Sequence, residues 1–277
     1  MPTPSRRDVL RSLPLIALSP APLAAANRAD QALGHVLKLG LTTYSTRALS
    51  LADTVKAAVR LGLERVSVKD VHLALDSSAA ERRAVASQLR DAGLQVLGCG
   101  VIAMPNDAAE IRRRFEYARD LGAPTIIASP DPLALDTLEA MVREFDIRVA
   151  IHNHGPEDAW YPTPAAAAAR VAARDRRIGL CVDVGHAARA GVDPAAAIRT
   201  HADRLLDLHL KDLDRAAADA HAVELGRGAL DIPAIMRALR DVRFAGNIAL
   251  EHEKDEQDPV PGMAESVGFA RGILRML

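Results

Sequence analysis

From residue 38 onward the chain alternates between short apolar runs and longer stretches whose apolar positions recur three and four residues apart. The runs are LGLTTY (39–44), RVSVK (65–69), QVLGCGVI (95–102), TIIAS (125–129), RVAIHNH (148–154), IGLCVD (178–183), LLDLHLK (205–211) and NIALEHE (247–253), eight in all. Near-continuous apolar runs mark strands buried on both faces, as in a parallel sheet covered by crossover helices. The intervening stretches read as helices. Ile111, Phe115 and Ala118 fall on one face with charges opposite, and Ile232, Ile235 and Leu239 do the same. Asp231 is placed to cap its helix with Pro233 in the first turn, and Gly93 and Gly122 stand just past helix ends, where a left-handed residue is needed. Eight strand–helix units predict an α/β fold, a single closed (β/α)8 TIM barrel over residues 38–277. The competing open sheet would carry a glycine-rich phosphate loop after its first strand, and TTYSTRALS has no glycine. No break in composition calls for a second domain.

The first residues follow another pattern. Ser5 precedes the pair Arg6-Arg7, a short Leu/Ile/Ala/Pro stretch follows, and small residues close it. This is the layout of a twin-arginine type signal peptide over residues 1–26, with cleavage expected near Ala26 and a periplasmic mature protein. The apolar part is too short and too proline-rich for a membrane span. Composition then narrows the partners. With 277 residues and 49% apolar content the chain can bury a large core. A net charge of -1 leaves no basic footprint for nucleic acid. The two cysteines, Cys99 and Cys181, sit inside apolar runs and read as packing rather than as a disulfide.

In a barrel of this kind the active site lies at the carboxyl ends of the strands. Those ends carry Lys69 and His72, His152 and His154, Asp183 and His186, His209, Lys211 and Asp212, and Glu251 and Glu253. Strand side chains alternate faces, so His152 pairs with His154, His209 with Lys211, and Glu251 with Glu253 on the inward side. Buried carboxylates need a partner or a proton. His152, Asp183, His209 and Glu251 offer two nitrogens and two oxygens, a set suited to one divalent ion, Mn, Zn, Co or Fe, with positions left open for substrate.

These motifs resemble the xylose isomerase-like TIM barrel superfamily, the sugar phosphate isomerase/epimerase group that also holds endonuclease IV. VDVGH is similar to that family's Asp-x-Gly-His after strand six, DLHLKD to its His-x-Lys-Asp on strand seven, and NIALEHE to its glutamate-bearing last strand; ELGRGALDI is similar to the loop before the last crossover helix. The resemblance implies that Asp183, His209 and Glu251 are metal ligands. At strand five many members have a glutamate where this chain has His152. That departure keeps a ligand but removes one of the paired glutamates used by ketose 3-epimerases. The first and third strands lack the additional imidazoles of a three-metal endonuclease site.

The expected activity is a metal-dependent sugar isomerase or epimerase that abstracts a proton beside a metal-bound carbonyl, through an enediolate. Lys211 and His154 are the foremost acid/base candidates, with Glu251 and Lys69 behind them. Substrate-side candidates are His186, which either touches substrate or bonds the Asp183 region, and Arg189, an anion clamp or a helix-surface residue. Trp160, with Tyr161, either stacks on a sugar ring or packs its loop, and His72 follows strand two. An exported enzyme meets free sugars or glycosides more than phosphorylated ones, and no phosphate cradle is visible. The alternative chemistry is therefore cleavage of a keto-glycoside by β-elimination, as a lyase or hydrolase. A non-catalytic periplasmic sugar-binding protein is the remaining reading. A homodimer is the fold-level expectation for oligomeric state.

Overall fold

The computed structural model describes residues 37–277. Eight parallel strands close a barrel: β1 (Leu39–Thr42), β2 (Arg65–Val68), β3 (Gln95–Met104), β4 (Thr125–Pro130), β5 (Arg148–His152), β6 (Ile178–Asp183), β7 (Leu205–Leu210) and, after a small ribbon, β10 (Asn247–Leu250). The order β1-β10-β7-β6-β5-β4-β3-β2 returns to its start, so the sheet has no free edge. The ribbon is antiparallel, β8 (Asp212–Leu213) with β9 (Ala222–Val223). The proposed signal peptide lies outside the described residues. No helix among the described residues is long and apolar enough to cross a membrane.

The crossover helices start where local chemistry dictates. Helices α1 (Leu51–Arg60), α2 (Ala79–Asp91) and α3 (Ala108–Leu121) are capped by Ser50, Ser78 and Asp107; Ser78 and Glu81 form a reciprocal capping box. Gly122 ends α3 at φ 74°, in the left-handed region open to glycine at little cost. Helices α4 (Leu135–Phe145) and α5 (Pro164–Val171) follow, then α6 (Val184–Arg189) and α7 (Pro194–Thr200). Asp231 caps α8 (Ile232–Asp241) by accepting from the Ala234 amide, and Pro233 sits in its first turn, as the sequence predicts. Helix α9 (Val260–Leu274) closes the ring.

Alternate positions on the strands separate into two apolar clusters. Ile126, Ile151 and Val182 belong to the large cluster beneath the helices. Their neighbours Ile127, Ala150 and Cys181 form a small cluster on three adjacent strands, inside the barrel. His152 follows Ala150 by two and Asp183 follows Cys181 by two, so both continue the interior face at its upper end. Cys99 and Cys181 are free and buried, in keeping with the packing reading. The predicted strands all form, but several end before their polar tails. β5 stops at His152, β7 at Leu210 and β10 at Leu250, so His154, Lys211 and Glu253 lie beyond the strand ends.

Candidate metal centre

Asp183 is fixed first. The Asn153 side chain grips its backbone from the neighbouring strand end: Asn153 Nδ2 donates to Asp183 O at 3.0 Å, and Asp183 N donates to Asn153 Oδ1 at 2.9 Å. One carboxylate oxygen of Asp183, Oδ1, caps α6 by accepting from the His186 amide at 2.8 Å. The other, Oδ2, is left facing the interior. There it lies 3.3 Å from His152 Nε2 and 3.8 Å from His209 Nδ1. Glu251, whose amide bonds Leu210 O beyond the end of β10, brings Oε2 to 3.2 Å from His209 Nδ1. Ser45 ties that strand end to β1's side, donating to Leu250 O and accepting from His252 N.

One ligand atom each from His152, Asp183, His209 and Glu251 thus falls within 4.8 Å of the others, all buried. Apart from the ion-pair contacts of His209 Nδ1 just given, both ring nitrogens of His209 and Nδ1 of His152 lack hydrogen-bond partners among the described residues. Two imidazoles and two carboxylates converging with orphaned nitrogens fit a divalent ion.

A protein cation already approaches that point. Lys211 Nζ lies 3.0 Å from Asp183 Oδ2 and 2.7 Å from Glu251 Oε2, and also pairs with Glu253. Charges this close reset one another's protonation. Burial works against ionising Asp183, but Lys211 and the neighbouring histidines outweigh it and hold the carboxyl well below its ordinary value. Glu251 is likewise buried, and His209 and Lys211 keep it low. Burial opposes charge on Lys211 too, yet Asp183, Glu251 and Glu253 hold its ammonium well above the usual range. His209, despite burial, is raised by Cys181 and Glu251. His152 and His186 go the other way, each pushed down to about 4 by burial, which leaves neutral imidazoles at neutral pH.

Above the cluster opens a cavity of about 240 Å³, whose wall includes Tyr44, Lys69, Val101, His154, His186 and Glu253. A larger cleft of about 670 Å³ lies among acidic residues near α9, but Glu224, Glu256 and Glu265 there are paired with Lys254, Arg47 and Arg227. It brings together no metal-ligand group among the described residues, so the chemistry belongs to the smaller cavity.

A model of the xylose isomerase-like TIM barrel family matches residues 55–273. The chain belongs to that family. The rhizopine catabolism protein MocC of Rhizobium meliloti is 28% identical over 152 residues, covering 50% of this chain and 45% of that relative, so the match spans less than half of MocC's length. Among solved structures, an L-ribulose 3-epimerase superposes with a TM-score of 0.71 at 18% identity, covering 86% of this chain and 95% of that one. The 3-keto-D-glucoside 4-epimerase YcjR of E. coli gives 0.70 at 18% identity over 85% and 99%. At these identities the likeness is one of fold.

Within this xylose isomerase-like barrel the structure sorts the sequence-derived residues. His152, Asp183, His209 and Glu251 meet at one point; Lys211 joins them; His154, His186 and Lys69 line the cavity. The ring of His154 lies 5.4 Å from that of His152 and 4.8 Å from that of His186, tilted against both, although it lies beyond the strand, so loop geometry rather than strand alternation aims it. Lys69 donates to Val101 O at 2.7 Å. His72 stands apart. Its ring nitrogens are taken by Thr43, Thr54 and the Leu49 carbonyl, which makes it a pin between β1, α1 and the loop after β2 instead of a substrate contact. Arg189 is spent on His186, Glu157 and the Ala218 carbonyl. Tyr161 is fully buried and cannot stack on a sugar, while Trp160 is 42% exposed and is not part of the cavity wall. Asp212 accepts from four amides, Leu213 and Leu230 on Oδ1 and Gly226 and Gly228 on Oδ2, and so anchors the loop before α8.

The sequence reading gave no role to Asp207 or Glu253. Asp207 is 1% exposed, inside the barrel, where it forms a second group with Cys181 and His209. Burial raises it to about 7. Its signal was visible, since it stands two residues before His209 in an apolar strand and therefore shares its face.

Proposed function

We propose that the protein is a metal-dependent sugar isomerase or epimerase that moves a proton at the carbon beside a carbonyl. The observation that carries this reading is the convergence of His152, Asp183, His209 and Glu251 at the cavity over the strand carboxyl ends. A divalent ion held by these four residues would supply Lewis acidity, polarising a substrate carbonyl so that the neighbouring proton is more easily lost. The rest falls to side chains. Lys211, kept as an ammonium by three carboxylates, is suited to donating a proton or hydrogen bond to a developing oxyanion, and not to accepting one. His154, at the cavity wall, is the base we assign. Glu251 is taken up by ligation, and Lys69 by the Val101 carbonyl. The epimerases among the fold neighbours support a sugar substrate. The export expectation, which rests on the sequence alone, favours an unphosphorylated one.

YcjR's substrate, a 3-keto-D-glucoside, keeps the second chemistry in view: the same proton loss can expel an aglycone by β-elimination. The test is metal content of the purified protein and of a His209→Ala variant, followed by incubation with free ketoses and 3-keto-glycosides in deuterated water. About one ion per chain, lost in the variant, with deuterium entering the sugar, supports the proposal. Aglycone release replaces isomerisation with elimination. An intact fold that holds no ion moves the sugar-binding reading to the front.

A further inference from the structure

We propose that the Lys211 ammonium is the cation of the unloaded centre, and that it is displaced onto Glu253 when a divalent ion binds. This inference rests on the metal reading above. Its ground is that one small space has two claimants. Lys211 Nζ contacts Asp183 Oδ2 and Glu251 Oε2, and these same two oxygens face His152 Nε2 and His209 Nδ1. An ion held by those oxygens would compete with the ammonium for the same two acceptors. Like charges this close in a water-poor site repel, so an ion there weakens the ammonium's hold on both acceptors.

The side chain has somewhere to go. Its third partner, Glu253, is 32% exposed and forms part of the cavity wall, so the ammonium can leave the two ligand carboxylates without losing its own counter-charge. The stem is guided by Gly185, where a Cβ would fall 2.5 Å from Lys211 Cδ and 2.6 Å from Cγ. Only a residue without a side chain lets the lysine cross the start of α6. Buried charge is therefore compensated in both states: by the ammonium together with protonated His209 in one, by the ion in the other with the ammonium kept on Glu253. Loading has a second consequence. It delivers the Lys211 proton to the cavity beside His154, so the centre gains its acid when it gains its ion.

The experiment is acetic anhydride footprinting of the chelator-stripped full-length protein, with and without saturating Mn2+, read by peptide mass spectrometry. Lys211, 4% exposed, is expected to be protected without metal and to label about fivefold faster or more with it, while the exposed Lys56 stays constant. Calorimetric titration with Mn2+ should show Lys211→Met binding about tenfold tighter than the unaltered protein, because the competitor is gone. Mn2+ that binds while Lys211 labelling stays unchanged overturns the displacement, as does a Met variant that binds no more tightly. If that variant does not fold, the footprint decides alone. Absence of Mn2+ binding to either protein is a different result, and it removes the metal reading together with the displacement built on it.

Discussion

Replacing Asp207 by asparagine should make the metal-free protein more stable at alkaline pH and change nothing at acid pH. Asp207 lies inside the barrel between Cys181, whose thiol donates to Oδ1 at 3.9 Å, and His209. Burial raises its carboxyl from 3.8 to about 7, partly offset by His209. The unfolded chain releases this proton near pH 4 and the folded one near 7, so between those values the folded state holds more protons and stability falls as pH rises. A shift of roughly three pH units at about 1.4 kcal/mol each gives a penalty of about 4 kcal/mol, complete above pH 7. The substituted amide matches the carboxyl in shape and has no proton to lose. Its advantage should be near zero at pH 4 and approach that figure at pH 8, about 8 °C or more in melting temperature. The assay is urea or thermal unfolding of both proteins in chelator from pH 4 to 8. Contributions of His152 and His186, which titrate in the same range, are common to both curves and cancel in the difference. Curves that run parallel across the range would refute a carboxyl raised by burial at this position.

Ion binding at pH 7 should release about one proton, from His209, which is held protonated, and none from His152, already neutral; calorimetry in buffers of different ionisation enthalpy measures it, and affinity should weaken as pH falls. Gly185→Ala puts a Cβ into the Lys211 stem and should cost about 1–3 kcal/mol, seen as a lower melting temperature; an unchanged one would mean that the stem moves freely aside. Asp212→Ala leaves four amides without their acceptor and should cost about 3 kcal/mol, with new protease cleavage between residues 213 and 230 as the readout.

Much of this was legible in the chain because it is local. Apolar runs, caps at Ser78, Asp107 and Asp231, and the glycine after α3 each report on a few adjacent residues, and eight such units leave few ways to bury their surface other than a closed barrel. The four candidate ligand residues could also be named, since strand ends of a barrel converge by construction. Neighbours set by register and loop path could not. Nothing local distinguishes His72, whose nitrogens are consumed by Thr43, Thr54 and Leu49, from His154, which faces the cavity. Tyr161 and Trp160 are adjacent in sequence, yet one is buried and the other exposed. The sequence by itself determined the barrel and the types of residue at its strand ends, through periodicity and residue chemistry. Only the tertiary structure decided that Lys211 bridges Asp183, Glu251 and Glu253, and that Cys181 lies against Asp207, because those groups meet through strands brought together by the fold.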